Sequence, residues 1–362
     1  MARAQPKTVS WSDGAGGRVM LCATGARTPL GLGIRASAAA VRGGISGVTV
    51  HQNLLDKVDV PMALACDAKF EPQLALSRRI EQLLSSAIAE ACDEVMAAVS
   101  RPTLKCWIAL PEPRPGLPGD IAAQVASHVG RAFAIERDDI RVLQRGHAAG
   151  LMALQAAAQE ISAGSASMCV VAGADSYHDP QTLKWLDQTG WLMSAANRNG
   201  FPPGEAGGAC LLMSRSVADR LGIAPEASLA SACTAVEPIA IRDTTGVCVG
   251  DALTAVIAGA TAPLRIPDEA ITESYCDLNG QRYRNEELVY TLLRVQGAFV
   301  DAHDYLCPSD CWGDVGAASG LLYAALAVSA HRRGYSKGNF PLLWAGSDAG
   351  FRAAAVLRLG SH

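Results

Sequence analysis

The sequence predicts an α/β protein made of two related halves. Three observations predict it. Short apolar or β-branched runs alternate with stretches of helical periodicity along the chain. The run Ser167–Ala172 is apolar after its first residue, as expected of a strand covered on both faces. The alternation then resumes, dividing the chain at 17–220 and 221–362 behind an arm, residues 1–16, that is polar and expected to be disordered. The alternation by itself argues for a mostly parallel sheet.

The elements follow in order. Arg18–Cys22 reads as a strand and Leu32–Arg42 as a helix. Between Arg78 and Val99, Ile80, Leu83, Leu84, Ala87, Ile88, Ala91, Val95, Met96 and Val99 fall on one helix face. Lys105–Leu110 is a strand, closed by the proline-rich loop Pro111–Gly119. Ile121–Phe133 is a helix and Ile140–Leu143 a short strand. Gly150–Ala163 is a helix that Gly164 can stop. Gly208–Met213, Ser228–Thr234 and Ile271–Leu278 read as strands, and Asp251–Ala260 as a helix. Glu286–Arg294 reads as a helix opening with acidic residues at its positive end. Gly316–Arg332 is a long, alanine-rich helix. Leu342–Ala345 and Arg352–Leu359 form a closing pair across a Ser-Asp-Ala-Gly turn.

Composition narrows the function. The chain of 362 residues is 49% hydrophobic and 18% charged, the balance of a well-packed soluble protein. A net charge of -4 argues against nucleic acid and anionic membrane surfaces. No apolar run reaches the roughly 20 residues a membrane span needs, and the first 16 residues lack the apolar core of a secretory signal. The 11 cysteines are odd in number and lie largely in apolar runs, including Cys22, Cys106, Cys169, Cys210 and Cys248. Reduced thiols and a cytoplasmic chain are expected. Cys307 and Cys311 have a spacing that could serve a metal, but no second pair accompanies them, so no metal is expected. There is no Walker loop, dinucleotide fingerprint or H-E-x-x-H, and no cofactor is expected.

Several glycine-rich segments occur in a telling order. They are Thr24-Gly25-Ala26-Arg27-Thr28-Pro29-Leu30-Gly31, the looser Gly43-Gly44-Ile45-Ser46-Gly47, and Gly146-His147-Ala148-Ala149-Gly150-Leu151. Val170-Val171-Ala172-Gly173-Ala174-Asp175 and Gly200-Phe201-Pro202-Pro203-Gly204-Glu205-Ala206-Gly207 follow. Trp312-Gly313-Asp314-Val315-Gly316-Ala317-Ala318 and Ala345-Gly346-Ser347-Asp348-Ala349-Gly350 complete the set. In this order the segments resemble β-ketoacyl-acyl-carrier-protein synthases of the thiolase superfamily. The resemblance implies a thiolase-like fold, two duplicated halves with mixed sheets flanked and separated by helices. It also implies a dimer, expected to pair through strands near Ser167–Ala172. The chain is short for such synthases, as if loops capping an acyl tunnel were missing.

The synthases use a nucleophilic cysteine, two histidines and a nearby lysine. The resemblance puts His147 at the cysteine, Asn279 and Asp314 at the histidines, and Ser309 on or near the lysine. An imidazole cannot hold the stable thioester, and losing both histidines removes the donors for a developing enolate. Condensing activity is not expected. Two readings of the trio stay open: His147 as a base oriented by Asp314, with Asn279 toward an oxyanion, or three polar groups satisfying one another in a relict pocket.

Other residues are weighed beside these. His178, after the Ala-Gly-Ala-Asp-Ser-Tyr segment, is a candidate for the pocket mouth. Arg145 is a candidate anion ligand. Glu205 resembles a structural carboxylate of the synthases. His128, His303 and His331 read as surface or packing residues, and Trp185, Trp191 and Trp312 as loop aromatics able to anchor a partner. The leading expectation is a non-catalytic protein that binds another protein, with no nucleic-acid partner. Degenerate synthase-like chains occur beside bacterial secretion-effector genes, which suggests an effector adaptor or chaperone. The alternatives are an altered acyltransferase or hydrolase using His147 and Asp314, and an inactive partner of a true synthase, of the chain-length-factor kind.

Overall fold

The computed structural model describes residues 6–11, 19–99, 104–194, 197–241 and 247–360. The first elements are β1 (Lys7–Ser10), β2 (Val19–Arg27), α1 (Ile34–Arg42), β3 (Val48–Leu55), β4 (Pro61–Ala65) and α2 (Leu76–Ala98). Then come β5 (Lys105–Leu110), α3 (Ile121–Phe133), β6 (Ile140–Gln144), α4 (Ala149–Ser162), β7 (Met168–Ser176) and α5 (Pro180–Gln188). β8 (Glu205–Ser214) and α6 (Arg215–Leu221) lead to β9 (Ala227–Val236), α7 (Asp251–Thr261), β10 (Glu273–Cys276) and α8 (Arg282–Val295). The chain closes with β11 (Tyr305–Leu306), α9 (Ser309–Trp312), α10 (Ser319–Arg332), β12 (Pro341–Gly346) and β13 (Phe351–Leu359).

The strands form two five-strand units in the orders β6-β5-β7-β8-β2 and β11-β10-β12-β13-β9. Counted by appearance, each runs third, second, fourth, fifth, first. The strand directions repeat as well. In each unit the first three strands are parallel and the last two pairings antiparallel. The units join where Met20 pairs with Ser228 and Leu21 with Ala227. The sheet is therefore mixed, which corrects the mostly parallel expectation. Alternation of strand and helix does not reveal strands such as β8 and β13, which return antiparallel.

Helices lie outside and between the units. In β7, Met168, Val170, Ala172 and Ala174 pack outward under α2 and α3, while Cys169 and Val171 face inward. In the other unit Leu342 and Trp344 of β12 face α7 and α8, while Leu343 and Ala345 face inward. The middle layer is α4 and α10. With both faces covered, β7 is buried along its whole length. No helix among the described residues is long and apolar enough to cross a membrane.

Several expectations are corrected. Lys7–Ser10, within the expected disordered arm, pairs antiparallel with β9, from Lys7 with Thr234 to Ser10 with Ser231. A four-residue edge strand carries too little periodicity to be read. Glu286 lies inside α8, which starts at Arg282 with no acidic residue in its first turn. Of the run Ser167–Ala172, Met168–Ala172 lies in β7, which is flanked by β5 and β8 and so has no free edge for a second chain. Trp185 lies in α5, and Trp312, 1% exposed, is core.

Candidate functional site

The two helices of the middle layer start at the centre of the molecule, and each start is a short tight turn. Gly146–Ala148 makes a 3-10 turn before α4, entered by Gly146 at φ 61°. That left-handed backbone costs any other L-residue about 1–2 kcal/mol. The turn is pinned from the far unit. The Ala148 N–H donates to Ser347 Oγ at 2.9 Å, and the Ser347 hydroxyl donates to the Arg145 carbonyl. His147 is thereby fixed at the start of α4, 5% exposed.

Asp314 is held as firmly. Its N–H donates to the Pro202 carbonyl at 2.7 Å and its carbonyl accepts from the Gly204 N–H at 2.8 Å. Its carboxylate meets His147 Nε2 at 2.8 and 2.9 Å. It also accepts from Asn279 Nδ2 at 2.6 Å, the Gly316 N–H at 2.9 Å and the Tyr177 hydroxyl at 3.3 Å. Asn279 itself is fixed by Gln281, whose N–H donates to Oδ1 at 3.1 Å and whose Oε1 accepts from Nδ2 at 3.0 Å. The structure thus brings His147, Asn279 and Asp314 into direct contact across long sequence separations. Ser309, at the start of α9, donates its hydroxyl to the Leu278 carbonyl and so ties together the loops that carry Asn279 and Asp314.

The electrostatics set the protonation state. Burial alone would push the His147 imidazole down, but the Asp314 carboxylate outweighs it and raises the ring to about 9. Burial would raise Asp314, but the charge and hydrogen bond of His147 outweigh it and hold the carboxyl well below its usual range. Both shifts favour the imidazolium–carboxylate form of the pair at neutral pH. An imidazolium cannot accept a proton, and a carboxylate with four donors around it is a poor base. The space enclosed by His147, Asn279, Ser309, Asp314 and Tyr323 is only about 10 Å³, at or below the size needed for one water.

On its other side His147 lines a cavity of about 380 Å³. Glu112, Arg114, Arg145, Asp175 and Asp348 supply charge there, and Tyr177, Trp185, Trp191, Phe201 and Phe351 an aromatic wall. Arg114 is spent on Asp175 at 2.6 Å. Arg145 lies over the Phe351 ring, 4.6 Å from its centroid. A further buried ion pair, Arg284 with Asp277 at 2.6 Å, backs the trio and also holds Gly346.

His178 does not line this cavity. Strand alternation carried past the end of β7 explains the miss: Asp175 and Tyr177 face the site, while Ser176 and His178 face away. His178 Nδ1 meets Cys66 Sγ at 3.0 Å, and burial lowers its ring to about 4. Tyr177 is the site residue that sequence reasoning passed over, although the alternation pointed to it. Glu205 is fully buried and accepts from the Asp67 N–H, Arg79 and Ser176, so it fastens three segments. His128, in α3, contacts Ser85 Oγ at 2.8 Å. The Cys307 sulfur lies 3.4 Å from Cys276. Among the described residues, Glu237, Cys248 and Glu287 have ligand atoms within 4.8 Å of one another. There Glu287 is already ion-paired with Arg352 at 2.8 Å, and Glu237 accepts the Ala252 N–H.

Residues 143–218 match the family profile of the β-ketoacyl synthase N-terminal domain. No curated protein sequence matches the chain. Among solved structures, a type II polyketide acyl-carrier protein in complex with its ketosynthase is similar at TM-score 0.77 and 15% identity, covering 95% of this chain and 100% of that one. The oxazolomycin ketosynthase domain of Streptomyces albus JA3453 is similar at 0.75 and 15%, covering 95% and 74%. The ishigamide ketosynthase/chain length factor is similar at 0.71 and 21%, covering 95% and 100%. The chain therefore has the thiolase-like fold of the ketosynthases, and its segment around His147 matches their N-terminal domain.

Proposed function

We propose that the chain is a non-condensing ketosynthase-like subunit that acts by pairing with a ketosynthase, in the manner of a chain-length factor. The observation that carries this is the His147–Asp314 ion pair at the position where the resemblance puts the nucleophile. It supplies neither a nucleophile nor a free base, and the space between it and Asn279, Ser309 and Tyr323 is too small for an acyl group. The same observation opposes the hydrolase or acyltransferase reading.

Two further features support a protein partner. Among the described residues β6 is paired on one side only, by β5, and it leads directly into the His147 turn. Such an edge can accept a strand from another chain. The cavity of about 380 Å³ begins at the end of that strand, at Gln144 and Arg145, so a chain docked there would lie beside it. One of the similar structures is described as a ketosynthase/chain length factor. The secretion-adaptor reading draws on no residue of the structure, and the partner-subunit reading takes its place. All eleven cysteines are free thiols, in keeping with a cytoplasmic setting.

The test has two arms. The purified chain is incubated with acyl and malonyl carrier substrates and weighed intact. The tagged chain is also recovered from its native host and its partners identified by mass spectrometry. No acyl adduct, and co-purification of a ketosynthase in constant ratio, are expected. A stable acyl adduct, or recovery of a secreted effector without a ketosynthase, would overturn the proposal.

A further inference from the structure

β10 and β11 run parallel, with Ser274 opposite Tyr305 and Tyr275 opposite Leu306. Cys276 ends β10 and Cys307 directly follows β11, and their sulfurs lie 3.4 Å apart. We propose that Cys276 and Cys307 are a disulfide-forming modification site that couples thiol oxidation to the loops holding the His147–Asp314–Asn279 centre.

Position and exposure both support this. The sulfurs need to close by only about 1.4 Å to reach the bond length near 2.05 Å. Cys276 is fully buried, while Cys307 is half-buried and open to a small reagent. Cys307 is therefore the sulfur that a small reagent reaches first. The site also has a mechanical consequence. β11 is a two-residue edge strand with Tyr305 and Leu306 exposed, the least secured strand of its unit. Three residues after Cys276 comes Asn279, and two after Cys307 comes Ser309, whose hydroxyl already ties the two loops together. A covalent link beneath that hydrogen bond would lock both loops.

The chemistry balances with a small disulfide such as oxidised glutathione. The Cys307 thiolate attacks it, forming a mixed disulfide and releasing one glutathione thiol. The Cys276 sulfur then gives up its proton and attacks Cys307 Sγ, releasing the second. Two protein thiols become one disulfide, and the two electrons and two protons leave on two glutathione molecules.

The full-length chain, treated with excess oxidised glutathione and alkylated, is digested with trypsin and an endoprotease that cuts before Asp310. The second cut separates Cys307 from Cys311. The expected product is a Cys276–Cys307 cross-linked peptide pair, reversed by reductant, absent in Cys307→Ser and retained in Cys66→Ser. The oxidised wild type should melt about 5 °C above the reduced form, and Cys307→Ser should show no such shift. Glutathione adducts or unmodified thiols at both positions without the cross-link would overturn the proposal, as would a Cys307–Cys311 link in its place.

Discussion

The two turns at the middle of the molecule are built alike and used differently. Gly146–Ala148 precedes a helix of 14 residues, and Gly316–Ala318 precedes another of 14. Each opens on a glycine of positive φ, 61° at Gly146 and 46° at Gly316. The helices pack reciprocally. A Cβ on Gly150 would meet Leu321 at 3.2 Å, and one on Gly320 would meet Leu151 at 2.6 Å. The scaffold is a duplication down to the glycine–leucine contact. The charges are not duplicated: the first turn carries the His147 imidazolium, and the second is led in by the Asp314 carboxylate. Packing has kept the symmetry, while the groups that meet at its centre neutralise each other.

The sharpest way to break this comparison is at the two glycines. A Cβ on Gly316 would sit 1.9 Å from the Asp175 carboxylate, whereas one on Gly146 first meets the Glu112 side chain at 3.2 Å. Gly146→Ala should cost about 1–2 kcal/mol from its backbone alone. Gly316→Ala adds disruption of the buried Arg114–Asp175 pair and should cost about 4 kcal/mol or more. Urea unfolding checks both, and equal losses would refute the claimed asymmetry.

Next is the ion pair itself. Asp314→Asn leaves buried His147 without its counter-charge and should cost about 3 kcal/mol. Its imidazole should then fall below the ordinary 6.5, because burial and the Arg284 charge outweigh the remaining pull of Asp277. His147→Gln should cost less, about 1–2 kcal/mol, because Asp314 keeps Asn279, Tyr177 and the Gly316 N–H. The reverse order in urea would contradict the assignment.

The pH dependence sharpens the same point. His147 is raised in the fold from 6.5 to about 9, so the native state holds the proton that the unfolded chain releases. Its contribution is fully present below pH 6.5 and is lost as pH rises to about 9. Wild-type stability minus that of His147→Gln should fall across that window; a flat difference would sink the point.

The smallest effect concerns the helix contact. Gly150→Ala should be within about 1 kcal/mol of neutral, since helix propensity offsets a mild contact with Leu321. Gly320→Ala should cost about 1–2 kcal/mol against Leu151. Thermal melts distinguish the two, and equal effects would mean that the contact is looser than it stands.

Much of the architecture was legible because period and punctuation agreed. Lys105–Leu110 and Ile121–Phe133 follow directly from apolar pattern and loop chemistry. The hairpin β3–β4 was not: β3 is largely exposed and so lacks a clean apolar alternation, and β4 is only five residues long. The repeated Gly-x-Ala-x-Gly-Leu at Gly146 and Gly316 was present to be read, but its meaning lies in a contact between helices far apart in sequence. At the site, His147, Asn279 and Asp314 were named from a resemblance, and the structure places them in contact. Their protonation was not legible, because it depends on burial and on donors such as Tyr177 and Gly316.

The central claim is that His147 is a charged partner of Asp314 and not a base. Selective isotope labelling of histidine in the full-length chain, with His147→Gln to assign the signal, lets its ring nitrogens be followed by NMR from pH 5 to 10. The account predicts both nitrogens protonated at pH 7, with titration near 9. A neutral ring at pH 7, titrating at or below the ordinary 6.5, would contradict it.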